Sequence, residues 1–372
     1  MVRPYDTDCM KMALALAARG LGRVAPNPAV GCVIVREDED APRVVGRGWT
    51  RPGGRPHAET EALGRAGEAA RGATAYVSLE PCAHHGQTPP CAQALIDAGI
   101  ARVVAAIADP DPRVGGRGLA LLEKAGIEVE DGVCALEAHA LNEGFFLKVS
   151  DNRPLVTLKI ASTLDGRTAT HSGHSQWITG EAARARGHLL RATHDAIMVG
   201  SATAIVDDPE LTCRLPGMAD RHPIRIVADG RLRLPLTSKL VGTAKDVPLI
   251  VLTHPEGDTE RRKAFEGCGV DLVDVAPDKN GVMDMRIAME KLAERGLTRV
   301  LVEGGARLAS SLIQAHLVDR LEWFRAPTLL GGDGYPAIAS LGIGRVGDAP
   351  GFIHTHSMKL GDDTLSSYVF RS

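Results

Sequence analysis

Three soft-metal donors scattered between residues 57 and 91 constrain this chain's fold more than anything else in it. They are His57, followed by Ala58-Glu59; Cys82, preceded by Pro81; and Cys91, preceded by Pro89-Pro90. One His and two Cys give a tetrahedral zinc ion three protein ligands and leave its fourth position open for water. Glu59 stands two residues from His57, close enough to reach that water without ligating the metal. The metal lowers the water's pKa towards ~7, and a carboxylate beside it can shuttle the proton. To meet at one ion, the donors must be placed by rigid elements. His57 and Glu59 fall at the start of a predicted helix, Cys82 follows a predicted strand, and Cys91 opens another helix. Two helix N-termini would then converge, and their partial positive charge favours thiolates and a bound hydroxide.

His-Ala-Glu alone is a commonplace tripeptide, and a closed structural zinc site would need a fourth donor. His84 and His85 are rival donors, although paired histidines on a loop more often face solvent or substrate. The combined pattern H-x-E with P-C and a later Cys is the signature of zinc deaminases, in which the hydroxide attacks an amino-bearing ring carbon and expels ammonia. Here eight residues, 83–90, separate the cysteines where the signature has two.

Around this core the chain alternates short apolar runs with helical stretches. In the first half, an opening helix over 7–20 precedes strands at Val30–Val35, Val44–Trp49, Ala75–Leu79, Val103–Ile107 and Ile127–Val129. Helices fit about Thr60–Ala70, Cys91–Ala98 and Leu119–Ala125, the last two ending at glycines suited to a left-handed cap. The polar segment Lys148–Pro154 marks a boundary, which divides the chain into residues 1–149 and 150–372. Beyond it, strands at Leu155–Ile160, Ala196–Val199, Ile224–Ala228, Leu249–Leu252, Asp271–Val275 and Val300–Val302 alternate with helices at about Gly180–Arg191, Asp258–Phe265, Met285–Arg295 and Arg307–Ala315. The alternation predicts an α/β fold with a mainly parallel second sheet, and Arg320–Phe324 and Ser366–Phe370 read as antiparallel strands on its edge.

Composition narrows the function. A length of 372 residues suits two domains, and a net charge of -3 with 3% aromatics argues against a polyanion binder or a base-stacking channel. No run of about 18 apolar residues exists and the N-terminus lacks a signal-peptide order, so no membrane span is expected. With seven cysteines and no export signal, the expected compartment is a reducing cytoplasm, where clustered Cys bind metal.

The second half lacks a G-x-G-x-x-G fingerprint. Instead the strand Val300–Glu303 runs into Gly304-Gly305 and a helix, a turn at which phosphate can approach backbone N–H groups. Gly-Gly is more often a packing turn. The segment VGSATAIVDDPELTCR puts Gly200, Thr203 and Asp207 on a loop after a strand, where open α/β sheets bind ligands.

With these residues in hand, nearly the whole chain resembles the bifunctional riboflavin-biosynthesis deaminase/reductase family. The resemblance rests on APNPAVGCVIV, GRPHAETEAL, LEPCAHHGQTPPCAQAL, ADPDPRVGGRG and LNEGFF in the first half. In the second it rests on TLKIASTLDGRTAT, SQWITG, IMVGSATAIVDDPELTCR and LVEGGARLASSLI. It implies a cytidine-deaminase-like N-terminal domain that removes the 2-amino group of a diaminopyrimidinone ribosylamino 5'-phosphate. It also implies a dihydrofolate-reductase-like C-terminal domain that uses NADPH to reduce the ribosyl group to ribityl. Carried over, His57, Cys82 and Cys91 hold one zinc per chain, Glu59 is the proton shuttle, and Asn27 hydrogen-bonds the pyrimidine or is simply a turn residue.

The same resemblance assigns Ala161, Trp177, Thr203, Asp207, Gly304, Gly305, Ala306, Arg307 and Leu308 to NADPH, and Ser175, Arg191, Leu211, Arg214 and Glu303 to substrate. Trp177 has an alternative as a core aromatic, and Arg191 as a cap on its helix's last carbonyls. Lys159, with Glu303, is the candidate to assist opening of the sugar or stabilise its charge; its alternative is a surface lysine on a half-buried strand. Two departures from the family stand out. Gln87 replaces a loop Lys or Arg, and Asp111 replaces the Asn of the DPNP segment, both unfavourable beside a phosphate. Either Arg113 or Arg117 compensates, or the first activity is weak. The family also suggests a homo-oligomer formed through the reductase domain.

Two other functions fit fewer of these residues. One is a zinc deaminase of nucleic acid or nucleosides with a C-terminal domain that only binds; the other is a zinc-stabilised regulator, which would have no need of Glu59.

Overall fold

The computed structural model describes residues 3–37, 41–83, 89–111, 115–279 and 281–371. They form two compact units, Met1–Asn152 and Arg153–Ser372, each with its own core.

The first unit runs α1 (Asp6–Ala17), β1 (Gly31–Glu37), β2 (Pro42–Trp49), α2 (Ala58–Ala66), β3 (Thr74–Val77), α3 (Cys91–Asp97), β4 (Arg102–Ala105), α4 (Arg117–Lys124), β5 (Glu128–Glu130) and α5 (Ala135–Asp151). Its five strands lie in the order β2-β1-β3-β4-β5, antiparallel at the β2 and β1 pairings and parallel from β3 onward. Alternation along β1 explains the layers. Val33 and Val35 pack with Cys9, Met10, Ala13 and Leu14 of α1, while Cys32 and Ile34 pack with Ala62, Ala92, Leu95 and Leu122 of α2, α3 and α4. Gly48 of β2 lets α2 come close, since a Cβ there would stand 2.2 Å from the Ala58 carbonyl oxygen.

The helices and strands expected in this half are all present. One expectation fails: Lys148–Asp151 is not loop but the last turn of α5, which the polar sequence hid. The helix stops at Asn152, whose left-handed φ of 51° ends it.

The second unit continues β6 (Leu155–Thr163), β7 (Arg167–Ala169), α6 (Glu181–Ala192), β8 (Ala196–Gly200), α7 (Ser201–Asp207), β9 (Ile224–Ala228), α8 (Lys239–Gly242), β10 (Leu249–Thr253), α9 (Thr259–Gly267) and β11 (Asp271–Asp274). Then come α10 (Met285–Glu294), β12 (Arg299–Glu303), α11 (Ala306–Gln314), β13 (Arg320–Ala326), β14 (Tyr335–Pro336), β15 (Phe352–Leu360) and β16 (Asp363–Phe370). Nine strands form one sheet in the order β11-β10-β9-β8-β12-β6-β13-β16-β15. All pairings from β11 to β13 are parallel, and β16 and β15 close the sheet antiparallel. A core containing α10 and α11 covers one face and a core containing α6, α8 and α9 the other.

Two expectations are corrected here. Arg320–Phe324 is an interior strand paired in parallel with β6, because β16 and then β15 extend the sheet beyond it. Thr203 and Asp207 lie on helix α7 rather than a loop, since Ser201–Asp207 is long enough to close nearly two helical turns before Pro209.

Candidate active sites

In the first unit, His57 is the N-cap of α2, and Glu59 lies in that helix's first turn. Cys91 is the first residue of α3, with Pro90 as its N-cap. Cys82 follows β3 and Pro81, and is tied to α3 twice: its carbonyl accepts from the Ala92 N–H at 3.2 Å, and its sulfur from the Cys91 N–H at 3.4 Å. The His57 Nδ1 stands 3.2 Å from Cys91 Sγ and 3.8 Å from Cys82 Sγ, and the three donor atoms all lie within 4.8 Å of one another. Bond lengths of about 2.1 and 2.3 Å at tetrahedral angles put N and S donors roughly 3.5–3.8 Å apart, so the set fits zinc. Among the described residues no fourth His, Cys, Asp or Glu joins this group. His84, His85, Gln87 and Arg113 lie outside the described residues.

The electrostatics agree with the donor chemistry. Hydrogen bonds from the Cys91 thiol and from His57 hold the Cys82 thiol down to about 4, the thiolate form a metal requires. Glu59 is only 3% exposed, and burial pushes its carboxyl up to about 7, with the charge of Cys82 adding to the effect. A carboxyl poised near neutrality suits a group that both takes and gives a proton.

Glu80, two residues before Cys82, was not singled out in the sequence. Its buried carboxylate accepts from the backbone N–H groups of Asp109 (3.1 Å), Gly116 (2.9 Å), Gly118 (2.8 Å) and Leu119 (3.4 Å). It thereby fastens the turn leading to Cys82 to the start of α4. Asp111 is buried on the same segment, with its N–H donating to Asp109 Oδ1, and Arg117 opens α4. Asn27 forms a turn, its N–H donating to the Val24 carbonyl, and its carboxamide lies against Gly54, three residues before His57.

In the second unit, the parallel register sets Glu303 of β12 beside Lys159 of β6. Arg191, near the end of α6, grips Glu303 with two parallel hydrogen bonds of 2.8 and 3.0 Å, and its Nη1 donates to the Thr212 carbonyl. Arg191 is therefore not capping its own helix. Lys159 Nζ lies 3.5 Å from Glu303 Oε2 and over the Phe324 ring. Although buried, Glu303 is held down to about 2, because the attraction of Arg191 and Lys159 outweighs the desolvation that would raise it.

Leu211 and Cys213 are buried beside this group, and Arg214 is exposed, 3.3 Å from Glu210. The Arg214 N–H donates to His188 Nδ1, a contact with no obvious sequence signal. Ser175 is half-buried in the segment before α6. Trp177 is 68% exposed, with the Arg184 guanidinium 4.8 Å from its ring centroid, which rules out the core-aromatic alternative.

Gly304 and Gly305 take left-handed φ values of 74° and 89°, and side chains there would press within 3.2–3.5 Å of Thr203. The turn leaves bare backbone between α7 and α11, a surface suited to a phosphate. Ala306, Arg307 and Leu308 begin α11, Arg307 exposed and Leu308 buried. Ala161 lies on β6 two residues beyond Lys159, and Asp207 ends α7, away from Glu303 in sequence and exposed.

Comparison with known proteins gives the same two-part picture. The cytidine and deoxycytidylate deaminase zinc-binding region matches residues 4–107, and the RibD C-terminal domain matches residues 154–366. The riboflavin biosynthesis protein RibD of Escherichia coli is 42% identical over 375 residues, covering 98% of this chain and 99% of that one. Its counterpart in Aquifex aeolicus is 41% identical over 365 residues, 98% of each. Among solved structures, Acinetobacter baumannii RibD superposes with a TM-score of 0.87 at 39% identity over 99% of both chains. A Thermotoga maritima diaminohydroxyphosphoribosylaminopyrimidine deaminase/5-amino-6-(5-phosphoribosylamino)uracil reductase gives 0.85 at 34% identity, covering 98% of this chain and 99% of that one.

Proposed function

The chain belongs to the RibD family of bifunctional riboflavin-biosynthesis deaminase/reductases, and from that premise we propose how its own residues divide the two reactions. The enzyme deaminates a diaminopyrimidinone ribosylamino 5'-phosphate and then reduces the ribosyl group to ribityl. In our reading, residues 1–149 carry the first step and residues 150–372 the second. One zinc per chain is held by His57, Cys82 and Cys91, and NADPH is the reductant. The protein works in the cytoplasm as a homo-oligomer assembled through the reductase domain.

Zinc, when bound, supplies the Lewis acidity that makes water nucleophilic at neutral pH. Glu59 takes the proton released by that water and returns it to the departing amino group, a task its near-neutral pKa supports. Asn27 orients the pyrimidine.

In the second unit the nicotinamide supplies hydride, and the protein orients it. The Gly304–Leu308 turn with Thr203 would take the cofactor's phosphates, Trp177 and Ala161 its nicotinamide end, and Asp207 a polar group. Arg191 and Arg214 would receive the substrate phosphate, with Ser175 and Leu211 contacting the same substrate. Lys159, paired with Glu303, would donate a proton to the sugar as its ring opens. The observation that carries the whole reading is the convergence of one imidazole and two sulfurs next to a buried carboxyl.

The deciding experiment follows ammonia and NADPH separately with the diaminopyrimidinone phosphate as substrate. Glu59→Gln is expected to keep its zinc, lose ammonia release by about 10²- to 10⁴-fold, and still oxidise NADPH with the deaminated product. Unchanged ammonia release in that variant would remove the proposed mechanism.

A further inference from the structure

Reduction of the ribosyl group takes up a proton with every hydride, and a line of polar side chains beneath α6 suits the supply of that proton. The inference drawn from it rests on the reading of Lys159 as the group that protonates the sugar. Cross-strand register sets five side chains in one line: Glu303 of β12, Lys159 of β6, Glu322 of β13, Ser367 of β16 and His356 of β15. They share one face of the sheet, because each stands two residues from a side chain packed in the core that contains α6. Those packed neighbours are Leu301, Ala161, Phe324, Leu365 and Met358 respectively. Helix α6 lies over the line, since a Cβ on Gly187 would stand 3.9 Å from Lys159 Cε. At its outer end His356 is exposed on the last strand of the sheet.

Glu303 is a poor source of protons: Arg191 bonds both its oxygens and, with Lys159, keeps it ionised. Glu322, the carboxyl on the other side of Lys159, differs. It is half-buried, and its Oε2 accepts from the Ser367 hydroxyl at 2.7 Å. Burial lifts it above the ordinary carboxylate value, outweighing that hydrogen bond and the charges of Arg186, Arg320 and His356. Lys159 has little distance to cover, since neighbouring strands are about 4.8 Å apart. Its ammonium already lies over the ring of Phe324, two residues beyond Glu322 on β13. We propose that Glu322 is a positioning residue that acts through Lys159, returning to it the proton that the lysine gives to the sugar. The ring C–O bond breaks as its oxygen takes that proton, and the ring carbon gains the hydride, with NADPH giving up the two electrons. The neutral amine then takes the proton of the Glu322 carboxyl, and the carboxylate is recharged from solvent through the Ser367 hydroxyl. Ligands of open parallel sheets lie across the carboxyl ends of the strands. This line runs sideways to the sheet edge instead, so it stays open while they are bound.

Stopped-flow mixing of the full-length enzyme, in excess over the deaminated product, with NADPH tests this. NADPH absorbance and a pH indicator are read together in weak buffer. In the wild type, proton uptake from solvent is expected to keep pace with NADPH oxidation. Glu322→Gln keeps the size and the acceptor for Ser367 but carries no acid proton. Its uptake should trail NADPH oxidation by about 10-fold or more, a share of the 10²- to 10⁴-fold that a positioned acid or base contributes. Glu322→Asp should restore part of the coincidence. Ser367→Val, which leaves no room for a replacing water, should delay uptake likewise and gives an independent reading if Glu322→Gln does not fold. Uptake that trails in the wild type, or that stays in step in either folded variant, overturns the proposal. Lys159→Met separates it from the reading beneath: NADPH oxidation at the wild-type rate there would overturn Lys159 as the donor, and the proposal with it. Oxidation lost in Lys159→Met, with uptake undelayed in Glu322→Gln, would overturn the proposal alone.

Discussion

Glu80 shows how much one buried side chain can organise around a metal site. Four backbone N–H groups converge on its carboxylate, and the turn it braces leads directly to Cys82. Replacement by alanine strips all four donors of their acceptor. At about 1–3 kcal/mol for each buried group left unpaired, moderated by relaxation and water entry, we expect Glu80→Ala to cost the first unit at least 3 kcal/mol. Chemical denaturation checks the loss, and metal analysis should show weaker zinc retention. The convergence of His57, Cys82 and Cys91 was legible in the sequence because their chemistry is rare and their spacing distinctive. Glu80 was not, since an acid beside a proline is unremarkable until its four partners, 29 to 39 positions away, are in place.

At the scale of the element, α2 carries both His57 and Glu59, so its seat on β2 matters to the chemistry. Gly48→Ala would drive a methyl into the Ala58 carbonyl 2.2 Å away. Overpacking of this kind costs about 1–3 kcal/mol, and here it should also raise the zinc dissociation constant. Gly64→Ala, on the exposed face of the same helix with nothing within 4 Å, should instead stabilise by about 0.5–1 kcal/mol with activity unchanged. Thermal unfolding with zinc titration separates the two outcomes.

The strands buried on both faces, such as Leu249–Thr253, announced themselves as apolar runs. Those that were missed lacked a pattern. Helix α5 has no clean apolar stripe, with Leu136 in solvent and Asn142 buried. Strand β15 is a largely exposed edge strand whose apolar ends flank a polar His354-Thr355-His356-Ser357 middle. The seven residues of α7 were too few to display a helical period.

For the whole molecule, acid is the informative perturbation. His194 is buried and neutral: its Nδ1–H donates to the Leu190 carbonyl, its Nε2 accepts from Thr157, and burial depresses its pKa to about 3. Between about 6.5 and 3 the unfolded chain therefore binds a proton the folded chain refuses. The His194 contribution to stability is complete above pH 6.5 and falls by about 1.4 kcal/mol per unit below it. Glu303, held down to about 2, adds the same sense of change between its ordinary value and that point. Asp195 and Glu322, raised by burial, act oppositely. The difference between wild type and His194→Gln isolates the histidine: the stability gap should shrink steadily from pH 6.5 to 4.5 in denaturant titrations. Chelation separates the chemistries as well. Because the zinc donors and the Lys159–Glu303 pair lie in different units, a chelator should abolish ammonia release while NADPH oxidation with the deaminated product persists.

The bonds that join Cys82 to the first residues of α3 carry an evolutionary implication. They pin the two sulfurs to each other directly, so this placement does not depend on the length of chain that joins them. Doubling the length of such a stretch costs only about 0.6 kcal/mol of closure entropy. Nature, or a protein engineer, can therefore lengthen the connection between the two cysteines to suit a new heterocycle while the spacing of the sulfurs stays as it is.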